Sequence, residues 1–291
     1  MSAYLLDGRA CADRLKQDLV KRLGQIQKNT NMIPGLAVIQ VGDNPASQVY
    51  VASKIRQCHE VGIRSFLYTF KADVSQDHVL DKIYQLNQDP QIHGILIQLP
   101  LPPHLESTEI INALDPLKDV DGLHRLNLGA LVTGAHGTIP CTPRGCLTLI
   151  KQYRQDLTGL TAVVLGRSLL VGKPMALILL GENCTVVMAH SKTQNLPDIC
   201  GQADILVVAV GLPQLVKKSW VKPGAIVLDV GINRLTDNIL VGDVDFDNVK
   251  DIAGAITPVP GGIGPMTVVS LLQNTVDLIC HQIGYCDACE N

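Results

Sequence analysis

Thr161-Ala-Val-Val-Leu-Gly-Arg-Ser-Leu-Leu-Val-Gly172 decides the fold. An apolar stretch rich in β-branched residues runs into Gly166, and Gly172 opens a second apolar stretch, Lys173 to Leu180. A short buried strand, a glycine turn and a helix start, in that order, predict one βα unit of a parallel sheet. Toward the C-terminus the pattern repeats. Cys184–Ala189, Ala203–Val210 and Ala225–Val230 read as strands, ending at His190-Ser191, Gly211 and Gly231. Thr267 to Ile283 reads as a long amphipathic helix, with Val268, Leu271, Leu272, Val276 and Ile279 on one side.

Toward the N-terminus the same alternation appears. Gly35–Val41 is a strand that ends at Gly42-Asp-Asn-Pro45, and Ser47 to Val61 is a helix stopped by Gly62. Ser65–Phe70 is the next strand, and Ser75 to Leu86 a helix capped by Ser75 or Asp73. Gly94–Gln98 is a third strand, closed by Pro100, Pro102 and Pro103. Asp115 to Pro143 has weak periodicity and many turn residues, which suits a functional connection between domains. Arg144 to Gln155 is helical again. The expected class is α/β in two domains. Residues 1–143 form an N-terminal α/β domain with a parallel sheet, and 144–266 a Rossmann-like domain. The last helix, about 267–283, packs back on the first.

Composition agrees. A chain of 291 residues suits two domains, and 46% hydrophobic content fills two cores. Aromatics are only 3%, so Leu, Ile, Val and Ala do the filling, as in parallel sheets covered by helices. A net charge of −3 makes nucleic acid an unexpected partner. The start Met1-Ser-Ala-Tyr-Leu-Leu-Asp-Gly8 has no basic n-region, and apolar runs such as Ala176–Leu180 are too short for a bilayer. No membrane partner is expected, and a soluble cytoplasmic enzyme is. The nine cysteines then read as thiols. In the tail, Cys280, His281, Cys286 and Cys289 are either zinc-type ligands or spare thiols. Neighbours in sequence such as Cys280 and His281 do not readily face one ion from a helix, so no metal is expected.

Ligands of open α/β sheets bind beyond the carboxyl ends of the strands. Gly166-Arg-Ser-Leu-Leu-Val-Gly172 departs from G-x-G-x-x-G, with Ser168 at the second glycine position. The helix start at Gly172 still offers a pyrophosphate its N–H groups. The next strand end reads His190-Ser-Lys-Thr193, without the carboxylate that bonds a ribose 2′-hydroxyl in NAD enzymes. Ser191, Lys192 and Thr193, with Arg167 for bidentate contact, suit a 2′-phosphate, so NADP is the expected cofactor.

Tyr50-Val-Ala-Ser-Lys54 places Tyr50 and Lys54 on one helix face. Gln98-Leu-Pro-Leu-Pro102 follows a strand, Asp119-Val-Asp-Gly-Leu-His124 and Pro140-Cys-Thr-Pro143 lie in the connecting stretch, and Thr257-Pro-Val-Pro-Gly-Gly-Ile-Gly-Pro-Met-Thr267 is a rigid turn-rich loop. Each also has a plain reading: a solvated lysine, a strand-end glutamine, turn-forming aspartates, a loop that merely punctuates a helix. With GILIQLPLP (94–102), GRSLLVGKP (166–174) and HSKT (190–193), these segments stand in the order and spacing of one family. Over nearly its whole length the chain resembles the bifunctional methylenetetrahydrofolate dehydrogenase–methenyltetrahydrofolate cyclohydrolase enzymes. It departs from common family residues at Leu123, Arg125, Leu169 and Arg56, where Phe, Pro, Asn and Lys are frequent.

The resemblance implies oxidation of 5,10-methylenetetrahydrofolate with NADP, then hydrolysis of the methenyl product to 10-formyltetrahydrofolate. It places the folate in a cleft between the folate-binding N-terminal domain and the NADP domain, and it implies a homodimer. By resemblance Lys54 is the catalytic lysine, Gln98 its partner, Tyr50 a pterin-stacking or orienting residue and Asp121 the pterin anchor. Pro260, Gly261, Gly262, Ile263 and Gly264 contact folate. Gly166, Arg167, Ser168, Gly172, His190, Ser191 and Ile232 line the cofactor. An uncharged Gln98 suits a lysine acting as base or as orienting group, because a carboxylate there would favour the ammonium form. The rival functions are a monofunctional NAD(P)-dependent dehydrogenase and a non-catalytic folate-binding protein.

Overall fold

A computed structural model describes residues 3–235 and 239–285. The chain opens with β1 (Tyr4–Leu5) and α1 (Gly8–Thr30). Asp7 caps α1 by accepting from the Ala10 amide at 3.0 Å. The helix buries Ala12, Leu19, Leu23 and Ile26 as one stripe, and Asn31, left-handed at φ 57°, ends it. Next come β2 (Gly35–Val41), α2 (Pro45–Val61), β3 (Arg64–Phe70), α3 (Gln76–Gln88), β4 (Gly94–Ile97), α4 (Ser107–Asn112), α5 (Arg125–Thr133) and α6 (Cys141–Tyr153). The remainder holds β5 (Thr161–Leu165), α7 (Gly172–Gly181), β6 (Thr185–Ala189), α8 (Leu196–Cys200), β7 (Ile205–Val208) and β8 (Ile226–Asp229). A short antiparallel pair, β9 (Asn233–Arg234) and β10 (Leu240–Val241), precedes α9 (Phe246–Val249), β11 (Ala255–Ile256) and α10 (Ile263–Gln282).

The chain divides into two compact units. One, built from Arg14–Ala130, Ala135–Ile139 and the residues from Leu271 on, holds a parallel sheet of order β3-β2-β4. All seven residues of β2 are buried, which explains its unbroken apolar run. Ala37, Ile39, Ile95 and Ile97 pack against Val79, Ile83 and Leu86 of α3. Ser75 caps that helix, accepting from the His78 amide at 3.4 Å.

The other unit takes the residues up to Asp13, Leu131–Gly134 and Pro140–Ser270. Its six-stranded sheet has the order β1-β11-β8-β7-β5-β6, parallel throughout. From β5 the chain adds β6 on one side and then β7 on the other. The switch point, where such sheets take ligands, therefore lies beyond the carboxyl ends of β5 and β7.

Several expectations need correction. β1 pairs with β11, so the N-terminal strand belongs to the six-stranded unit and not to a 1–143 domain. The connecting stretch 115–143 is not irregular, for it contains α5 and the start of α6. Both expected boundaries, after residue 143 and after 266, fall inside helices, α6 and α10. By length and composition α10 is long and apolar enough to cross a membrane, yet most of it is buried in the protein. It is a core helix, and Asn274 ties it to the connecting stretch by donating to the carbonyls of Val120 (2.8 Å) and Ile139 (2.9 Å).

Candidate active site

In the three-stranded unit, α2 carries Tyr50 and Lys54 one turn apart. Lys54 is half-buried, and its Nζ donates to Oε1 of Gln98 at 3.0 Å. Gln98 follows β4 directly and is fixed on both sides. Its backbone N–H donates to the Ile39 carbonyl at 2.9 Å, and its Nε2 donates to the Leu99 carbonyl at 2.6 Å. With Nε2 engaged there, Oε1 is left facing the lysine. Tyr50 is 47% exposed, so its ring is available to a ligand.

The two aspartates of the 119–124 segment separate clearly. Asp119 is buried and accepts from the backbone N–H groups of Gly122 (3.1 Å) and His124 (2.7 Å) and from Asn127 Nδ2 (2.9 Å). Burial pushes its carboxyl up to about 6, against the pull of those donors. Asp119 is thus the turn-former, and Asp121 is half-buried. No hydrogen bond among the described residues joins Asp121 to Lys54 or Gln98.

In the six-stranded unit, the loop after β5 lies at the switch point. Gly166, at φ 134°, lies so close to β7 that a Cβ would stand 2.3 Å from the Ala209 carbonyl oxygen. A Cβ on Gly172 would meet the Gly166 oxygen at 2.3 Å. Both glycines are therefore demanded by the turn itself. The Ser168 hydroxyl accepts from the amides of Val171 (3.1 Å) and Gly172 (3.4 Å) at the start of α7. Arg167 and Ser168 are exposed there, a donor set that fits a dinucleotide phosphate at a helix N-terminus. After β6, His190 N–H donates to Thr193 Oγ1 (3.0 Å), and His190 Nδ1 accepts from Lys192 N–H (3.2 Å). His190 and Thr193 thus build a turn that leaves Ser191 and Lys192 exposed. Ile232, beyond β8, is 48% exposed.

The loop before α10 is held from behind. Arg9 N–H donates to the Gly261 oxygen at 3.0 Å, and a Cβ on Gly8 would stand 1.8 Å from the Gly262 oxygen. Gly262 is itself packed against Pro258 and Thr257. By contrast Gly264 has room for a Cβ, whose nearest neighbour would be Ile232 Cδ1 at 3.9 Å. Ile263 and Gly264, expected in the loop, form the first turn of α10, where Pro265 is tolerated. Pro260 is exposed at the loop's crest.

The structure thus brings Lys54 and Gln98 together, and it gathers Gly166, Arg167, Ser168 and Gly172 at one turn. Sequence reading offered a turn-forming role to Asp119 and Asp121 alike, without separating the buried one from its neighbour. It also missed two buried carboxylates, Asp229 and Asp243, whose only signal is an acidic residue at the end of an apolar strand and another after Gly242. In the tail, Cys280 is buried in α10 while Cys286 and Cys289 lie outside the described residues.

Comparison with known proteins matches residues 6–121 to the tetrahydrofolate dehydrogenase/cyclohydrolase catalytic domain and residues 140–283 to the NAD(P)-binding domain of the same family. The bifunctional protein FolD 1 of Roseobacter denitrificans is 52% identical, over 98% of this chain and 97% of that relative. The crystal structure of the bifunctional methylenetetrahydrofolate dehydrogenase/cyclohydrolase FolD of Campylobacter jejuni superposes with a TM-score of 0.94 at 46% identity, covering 97% of this chain and 100% of that one. The Trypanosoma brucei enzyme, solved with NADP cofactor and an inhibitor, gives 0.93 at 35% identity, with 97% and 99% covered. By sequence over both halves and by fold, the chain belongs to the tetrahydrofolate dehydrogenase/cyclohydrolase family.

Proposed function

We propose that the chain oxidises 5,10-methylenetetrahydrofolate with NADP⁺ and hydrolyses the resulting methenyl group to 10-formyltetrahydrofolate. The observation that carries this is the bond from Lys54 Nζ to Gln98 Oε1. NADP⁺, bound at the switch point, supplies the hydride acceptor. Loss of hydride leaves a cationic one-carbon bridge, and water attacks it. As that water forms its bond to the carbon it must release a proton, and Lys54 acts on it as base or as orienting group. A neutral amide partner suits either duty, since Gln98 holds the amine in place without pairing it with a negative charge. Tyr50 and Asp121 hold the pterin, and the 260–264 loop contacts the folate. Gly166, Arg167, Ser168, Gly172, His190, Ser191 and Ile232 receive the dinucleotide.

In the Lys54→Met variant, hydrolysis of supplied methenyltetrahydrofolate should be lost while circular dichroism and Tm stay near wild type. Unimpaired hydrolysis would remove Lys54 from the mechanism. Running the oxidation with NADP⁺ and with NAD⁺, and following reduced nucleotide and methenyl species separately, tests both activities and the cofactor preference. Accumulation of methenyl product would mark a monofunctional dehydrogenase.

The chain also acts as a homodimer in this reading. β3 is the outer strand of its sheet, and Leu67 on it is 45% exposed. An open strand edge with apolar side chains suits pairing with a second copy. The described cysteines are buried thiols, which suits a reducing, cytoplasmic setting.

A further inference from the structure

Two carboxylates are buried at the exits of β7 and β8, Asp229 at 3% exposure and Asp243 at 0%. Asp229 accepts from three backbone N–H groups: Gly231 (3.1 Å), Asp243 (2.8 Å) and Val244 (2.8 Å). Its own N–H donates to Thr257 Oγ1 at 2.8 Å, just before the 258–262 turn. Asp243 is thereby fixed by its backbone, and its side chain reaches back to the switch point. Oδ2 accepts from the N–H groups of Val210 (2.7 Å) and Gly211 (2.9 Å), and Oδ1 accepts from Asn233 Nδ2 (2.8 Å). The glycines beside them leave no slack. A Cβ on Gly231 would stand 2.2 Å from Asp243 Cγ, and one on Gly242 1.8 Å from Asp229 Oδ2.

Burying carboxylates is costly unless donors surround them, and these are surrounded. What they hold is the backbone after β7, where Ala209 packs on Gly166 and Gly211 turns at φ 67°. They also hold Asn233, whose chain neighbour is the exposed Ile232. We infer that Asp243, locked in place by Asp229, is a positioning residue for the dinucleotide, fixing the Val210–Gly211 turn and the Ile232–Asn233 segment that form two sides of its site. This rests on the functional reading above, which assigns Ile232 and the Gly166 loop to the cofactor. The group does not touch the reacting atoms. It pre-sets the shape into which the cofactor fits, so its loss should appear as weakened cofactor capture.

The test is steady-state kinetics on the full chain with Asp243→Asn, Asp243→Ala and the milder Asn233→Ala. Hydrolysis of supplied methenyltetrahydrofolate serves as the internal control. An asparagine at 243 offers one acceptor oxygen in place of two, so it keeps the Val210–Gly211 amides only by presenting Nδ2 to Asn233, whose amide must then turn over to accept. Asp243→Asn should raise KM for NADP⁺ at least tenfold, while KM for the methylene substrate and the hydrolysis rate stay within about twofold. Asn233→Ala should shift KM for NADP⁺ the same way by less. A purely structural carboxylate would instead lower both activities together with Tm and leave both KM values unchanged, which overturns the proposal. Where the position-243 variants fail to fold, an unchanged KM for NADP⁺ in Asn233→Ala overturns it. Absence of NADP-linked oxidation in the wild-type control overturns the functional reading itself, and is seen before any variant is made.

Discussion

Asp119 and Asp121 are two residues apart and chemically identical, and only the fold separates them. Asp119 is buried, and burial pushes its carboxyl up to about 6 from the usual 3.8 even though three donors pull the other way. Between those values the folded chain keeps a proton that the unfolded chain has released, so stability falls as pH rises through about 4 to 6. The displacement corresponds to roughly 3 kcal/mol. Denaturant unfolding at pH 4 and pH 7 should show wild type losing about that much relative to Asp119→Asn. Parallel pH curves would mean that the carboxyl titrates normally. Nothing in the sequence distinguishes this anchor from its neighbour, because burial is a long-range property. The same holds for Lys54 and Gln98, which are far apart in the chain and were linked only through family resemblance. The plain reading of a turn-forming aspartate, by contrast, was correct for Asp119.

The legibility of an element followed how its periodicity meets its surroundings. β2 is buried on both faces, so its apolar run stood out, and its bounds were read as observed. In the six-stranded unit the strands read were likewise the longer ones: β5, β7 and β8 are buried, while β6, at the sheet edge, leaves Val187 and Met188 exposed. β1 and β11 are two residues each, too short to carry a period. α1 went unread although Leu19, Leu23 and Ile26 keep helical spacing, because only a narrow stripe of a mostly polar helix is buried. α5 is harder still, for its one buried residue is the polar Asn127. The docking of α1 can be tested at Gly8, where a Cβ would meet the Gly262 oxygen at 1.8 Å. Since backbone cannot step aside as a side chain does, Gly8→Ala should destabilise the fold by at least about 1–3 kcal/mol. It should also raise KM for folate, because the 260–264 turn leans on that helix start. A variant with wild-type Tm and KM would show that the turn is supported elsewhere.

For the whole molecule, composition and alternation foretold two α/β units but not how the chain is shared between them. The sequence reading returned the last helix to the first domain but missed that the residues up to Asp13 join the other unit, and each unit gathers three separate stretches. Association is the whole-molecule property most open to experiment. If β3 is the pairing edge, Leu67→Lys should shift sedimentation velocity from dimer to monomer at micromolar concentration while leaving secondary structure intact. A dimer that persists unchanged would move the contact to another surface.

The interleaving of these stretches sets limits on dissection. A stop codon after residue 143 would discard the segment from Leu271 on that the three-stranded unit requires. A start at residue 144 would remove β1 and leave the β11 edge of the other sheet bare. Neither half can be obtained as a simple truncation, and a chimera that borrows a relative's dinucleotide module must import its first dozen residues together with the later block.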